Sequence, residues 1–178
     1  MPHSMKKSLF ILVLSVVTFA MISCDEKSLS TPDINALYVF RTSQAGVVDT
    51  ISLLDTLNIG DTVRLGLLLR GNFNYLTSFE AHATNTSCLD VTLDWNHELD
   101  DLLATGSDPE HAKLVFVAEK VWGVQTALKY VALKSGTHKI EMTIDSDAGE
   151  PYAPREYSFE IPVRDTPETP ETPSEDGE

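Results

Sequence analysis

The feature that most limits how this chain can fold is a period-two alternation of apolar and polar residues, repeated in segment after segment. "TVRLGLLL" puts Val63, Leu65, Leu67 and Leu69 on one face, and "SFEAHA" does the same for Phe79, Ala81 and Ala83. "LDVTLDW" aligns Leu89, Val91, Leu93 and Trp95. "HKIEMTI" aligns Ile140, Met142 and Ile144, and "REYSFEIPV" aligns Tyr157, Phe159, Ile161 and Val163. Successive side chains of a strand point to opposite faces, so this pattern predicts half-buried strands and not helices. "LYVFRT" near residue 40, "KLVFVA" at 113–118 and "QTALKYVAL" at 125–133 add shorter candidates.

Turn chemistry separates these runs: "RGNFN", "GSDPE", "KSGT" and "DSDAGEPYAP". Strands joined by short turns, with no long helix between them, predict an all-β antiparallel sandwich or barrel. The one departure is "NHELDDLLATG", residues 96–106. Asn96 can cap it, Leu99, Leu102 and Leu103 fall on one stripe, and Gly106 can close it, so one short helix is expected to cross between the sheets. Pro162 cannot donate to a ladder, which places the last strand at an edge or a bulge. "ISLL", flanked by Asp49-Thr50 and Asp55-Thr56, reads as a short edge strand with a turn on either side. Asp61-Thr62 reads as the turn into Val63–Leu69.

The ends of the chain speak to location. In "MKKSLFILVLSVVTFAMISC" a basic start precedes an apolar run from Leu9 to Ile22, too short to span a bilayer and suited to an export signal over residues 1–23. "MISC" resembles a bacterial lipobox, with Met21 where leucine is usual. That resemblance makes Cys24 the lipidated mature N-terminus and predicts a chain anchored to a membrane without spanning it. Residues 24–32 read as a polar tether and 33–164 as the folded domain. Residues 165–178, a Thr-Pro-Glu repeat without apolar residues, read as a disordered acidic tail.

Removing residues 1–23 takes away Lys6 and Lys7 and no acid, moving the formal charge from −14 to −16. A chain this acidic is not expected to bind nucleic acid through charge. Once Cys24 carries lipid, Cys88 alone remains, and it reads as a small buried hydrophobe.

Taken together, "IGDTVRLGLLL", "DPEHAKLVF", "YVALKSGTHKIEMTIDSDA" and "REYSFEIPV" resemble small lipoproteins of the Bacteroidetes that carry one immunoglobulin-like sandwich. The resemblance implies that fold, with the short helix between strands. It also implies an exported, lipid-anchored location, outer-membrane in that phylum, on the cell surface or the periplasmic face. It brings no catalytic or binding residues. Asp-Thr followed by an aliphatic residue is similar to an O-glycosylation acceptor of exported proteins in that phylum, which nominates Thr50 and Thr56.

Patterns that carry chemistry are sparse. The histidines form no HxH or HExxH pattern, and after the export signal no GxSxG, SxxK or phosphate-cradling glycine loop occurs, so no cofactor and no enzymatic activity are expected. "DSDAGE" offers Asp145, Asp147 and Glu150 as a calcium candidate, but an acidic solvated turn is the favoured reading. Phe73, Tyr75 and Trp122 sit at strand connections as candidate ligand-binding aromatics, with core or end-plugging roles preferred. The expected function is a non-enzymatic, lipid-anchored binding or adhesion module for an unknown protein or glycan. The alternatives are a glycan-capture accessory of an outer-membrane uptake system and a subunit of a fimbrial or secretion assembly.

Overall fold

Ten strands form in the computed structural model, which describes residues 30–165. They are β1 (Asp33–Thr42), β2 (Val48–Thr50), β3 (Leu57–Asn58), β4 (Thr62–Arg70), β5 (Leu76–Ala83), β6 (Leu89–Asp94), β7 (Lys113–Val115), β8 (Gly123–Ala132), β9 (Gly136–Ser146) and β10 (Arg155–Arg164). The expected segments 1–23, 24–29 and 166–178 lie outside the described residues. One sheet has the order β2-β1-β4-β8-β6 and the other β3-β10-β9-β5-β7. The two face each other as an immunoglobulin-like β-sandwich. Every pairing is antiparallel except that of β10 with β3.

The alternation predicts the inner faces closely. Val63, Leu65, Leu67 and Leu69 of β4 lie opposite Tyr130, Leu128, Thr126 and Val124 of β8, and all eight are buried. Phe79, Ile140, Ile144 and Ile161 close the core from the other sheet. Burying each large aliphatic or aromatic side chain contributes roughly 1.5–3 kcal/mol, so the sandwich rests on this interdigitated layer. Cys88 and Trp95 are buried as expected. Pro162 lies in β10, whose outer edge meets β3 only at Val163 and Arg164, so the missing amide leaves no ladder bond unmade.

Two local expectations need correction. Residues 97–102 form a 3-10 turn and not an α-helix, although Asn96 caps it and Gly106 takes the left-handed conformation. A six-residue segment forms too few intrahelical bonds to offset nucleation, and the tighter 3-10 form is usual for such pieces. The segment does carry the chain from β6 in one sheet to β7 in the other. The second correction concerns Ile51–Leu54, which is not a strand. β2 is Val48–Thr50, so Asp49-Thr50 is itself the edge strand, paired through Arg41↔Asp49. Asp55 accepts the amide of Ser52 at 2.9 Å and Asp61 accepts that of Asn58 at 2.9 Å. The second and third Asp-Thr pairs are thus one device used twice, an aspartate closing a turn onto the amide three residues back.

The strand directions give the sandwich two distinct ends. At the entry end lie Asp33, where the described domain begins its first strand, the β4–β5 turn, the β7–β8 connection and the β9–β10 loop. At the far end lie the β1–β2 and β8–β9 turns and Arg164, where the last strand finishes.

Candidate functional site

The entry end holds the aromatic residues singled out by the sequence. The turn Gly71–Asn74 closes with the Asn74 amide donating to the Gly71 carbonyl at 3.1 Å, and its two central residues, Asn72 and Phe73, have φ of 49° and 77°. That is the left-handed region, tolerated by asparagine but strained for a bulky aromatic residue. The close approach of Asn74's carbonyl leaves no room for a side chain at residue 71, which glycine satisfies. Asn74 is buried, and its Nδ2 donates to the Ser30 carbonyl at 3.0 Å, while Asn72 Nδ2 donates to the Thr31 carbonyl at 2.9 Å.

This turn and the β7–β8 connection are laced together by backbone bonds. The Gly71 amide donates to the Trp122 carbonyl at 2.8 Å, and the Leu76 amide to the Val121 carbonyl at 2.7 Å. The rings of Tyr75 and Trp122 meet edge to face, with centroids 5.0 Å apart and an interplanar angle of 82°. This is a favoured arrangement for aromatic quadrupoles. The Asp147 carboxylate accepts the Tyr75 amide at 2.8 Å and the Asp147 amide donates back to the Tyr75 carbonyl at 2.9 Å, docking the β9–β10 loop beside the pair.

Burial bears on the core and end-plugging role expected of these residues. Phe73 is 71% exposed and Trp122 53% exposed, while Tyr75 is half-buried. End-plugging therefore fails for Phe73 and Trp122, which present apolar rings to solvent. Beside them Arg70 clasps Asp33 with two bonds of 3.1 Å. Desolvation pulls the Asp33 carboxyl up, but the two hydrogen bonds from Arg70, the nearby Asn72 and Asn35 side chains and the guanidinium charge together hold it below its ordinary value.

The remaining candidates are not gathered. Asp145 accepts the adjacent Ser146 amide at 2.8 Å, Asp147 serves Tyr75, and Glu150 stands exposed in the loop. Among the described residues no group of three His, Cys, Asp or Glu side chains could hold a metal ion. His82 meets Glu141, His97 meets Asp100, His111 meets Asp108, and His138 contacts the Lys134 carbonyl, each at its own place on the surface. Thr50 is exposed on β2 and Thr56 is half-buried before β3. Cys24 lies outside the described residues. Sequence reasoning missed the left-handed turn that projects Phe73 and the role of Asp147. Two asparagines and a glycine around one aromatic residue were the available signal for the first.

No protein-family model matches the chain, and no curated protein matches it. Among solved structures it is similar to a lipoprotein from Bacteroides thetaiotaomicron, at 8% identity and a TM-score of 0.42, over 76% of this chain and 82% of that one. It is also similar to a DUF4466 family protein from Parabacteroides merdae, at 7% identity and a TM-score of 0.42, over 74% of this chain and 45% of the other. Domains 4 and 5 of the S-layer protein SbsC align at 11% identity and a TM-score of 0.37, over 66% of this chain. The chain spans 57% of the length of that SbsC fragment. Similarities at this level say nothing of ligand or activity.

Proposed function

We propose that this chain is a non-enzymatic, lipid-anchored module of the cell envelope that works by contact, through the aromatic surface at its entry end. The exposure of Phe73 and Trp122 on rigidly tied turns carries this reading. A bulky residue held at positive φ costs stability, and such strain tends to persist where a side chain must be displayed. Contact surfaces are enriched in aromatic residues, whose few torsions lose little entropy on docking. Anchoring is tested by fractionation: Cys24→Ala is expected to leave the membrane fraction, and unchanged partitioning would refute it.

A glycan-capture role is the second reading, supported by the Tyr75–Trp122 pair, in which an exposed indole is held in place by its neighbour. Retention on a glycan array that is lost in Trp122→Ala would favour it. An array that retains nothing would exclude it.

A further inference from the structure

We infer that the occupant of the aromatic entry end is the bilayer interface itself, which Phe73 and Trp122 enter as a second membrane contact beside the lipid. The inference rests on the proposed lipidation of Cys24 and names the partner of the proposed contact surface. Six residue steps separate Cys24 from Ser30, so a fully extended tether reaches at most about 20 Å. Ser30 and Thr31 are fixed to the very turn that displays Phe73, through Asn74 and Asn72. A lipid on Cys24 therefore holds this end of the sandwich close to the headgroups. β1 and β10 each run ten residues, about 33 Å, so the far end stands well away from the bilayer.

The chemistry of the patch fits that occupant. Tryptophan prefers the headgroup level, where its apolar ring and its polar N–H are both satisfied, and phenylalanine buries its ring at the headgroup–acyl boundary. The lipid on Cys24 supplies durable attachment but leaves the domain free to tumble about its tether, and a second contact fixes its orientation. Charge does not drive the contact: the formal charge is −16 once residues 1–23 are removed, and at this end the exposed Asp147 and Glu119 stand beside the exposed Arg70 and Arg155, so a zwitterionic surface suits it better than an anionic one. Toward the far end Val47, Val48 and Leu133 are exposed and Phe40 packs on Tyr38, but that end lacks the short tether to Cys24.

The test uses the mature lipidated chain reconstituted in phosphatidylcholine vesicles, some of them carrying phospholipid brominated close to the headgroup. The chain has two tryptophans, and Trp95 is buried, so the signal assigns itself by comparison with Trp122→Phe, a surface change. The expected result is a blue-shifted emission strongly quenched by the brominated lipid, with the quenching lost in Trp122→Phe. Vesicle-bound protein whose emission is unquenched would overturn the bilayer contact while leaving the anchor intact. Failure of the wild-type chain to stay on vesicles would overturn the anchor. Quenching relieved by added soluble glycan would assign the patch to sugar and overturn the inference.

Discussion

The indole of Trp95 donates its Nε1–H to the Asp100 carboxylate at 2.9 Å, fastening the 3-10 turn after β6 to the core. Trp95 is only 6% exposed, so this bond satisfies a donor that water can scarcely reach. Removing the carboxylate leaves that donor buried and unpaired, which typically costs about 1–3 kcal/mol. Asp100→Ala is expected to lower unfolding free energy by that amount, with Asp100→Asn less damaging. Urea titration followed by tryptophan emission checks it. An unchanged midpoint would show that the turn stays docked through Leu99, Leu102 and Leu103 alone.

Asp147 links the β9–β10 loop to Tyr75 by a reciprocal pair of bonds. Asp147→Ala is expected to loosen the Tyr75–Trp122 pair more than the sandwich, since β5 and β9 are held by their own ladder. Near-ultraviolet circular dichroism should weaken and the Tyr75 amide should exchange faster, while thermal stability falls only slightly. A large loss of global stability would mean that the loop is part of the cooperative core.

Much of the sandwich is legible in the sequence because strand burial is a local property. Every second residue from Val63 to Leu69 has to face the core for the strand to be stable at all. The misread segments are those in which apolar residues are set by side-chain bonds instead. "ISLL" is apolar, yet Asp55 takes the Ser52 amide and turns the chain, leaving Leu54 exposed. Leu99, Leu102 and Leu103 do pack against the core as their spacing suggests, but six residues wind as 3-10. The aromatic site was the least legible part. Whether Phe73 points inward depends on two left-handed residues and on where Ser30 and Thr31 lie, none of which periodicity encodes.

Gly66 of β4 lies opposite Tyr38 of β1, and a Cβ at that position would overlap the tyrosine ring. Tyr38 also stacks on Phe40, with ring centroids 5.0 Å apart. Gly66→Val is therefore expected to destabilise the chain despite valine's strand preference, by roughly 1–3 kcal/mol as the rings are forced aside. In Tyr38→Ala the same substitution should become neutral or favourable. A double-mutant cycle with no coupling between the two positions would contradict that account.

Phe73 has φ of 77° and a largely exposed side chain, so its backbone strain is not repaid by burial. Phe73→Gly is expected to stabilise the isolated domain by about 1 kcal/mol, because glycine adopts this conformation without steric penalty. Phe73→Ala should gain little, since alanine keeps the Cβ that causes the strain. Chemical denaturation of the three proteins gives the order. Equal or lower stability for the glycine variant would show that the ring contributes packing that its exposure does not reveal.

The Arg70–Asp33 clasp makes the entry end sensitive to acid. The folded Asp33 carboxyl titrates below its ordinary value near 3.8, so between the two values the unfolded chain binds more protons than the folded one. Its contribution is fully present above the unfolded value and is lost as pH falls through the folded one. The pair is partly exposed, with Asp33's side chain 32% accessible, so the effect is small and weakened by salt. The acid limb of stability below about pH 4 should be shallower in Arg70→Met, which removes the hydrogen bonds to both carboxylate oxygens. Superimposable limbs for the two proteins would mean that Asn72 and Asn35 hold the carboxylate without the guanidinium.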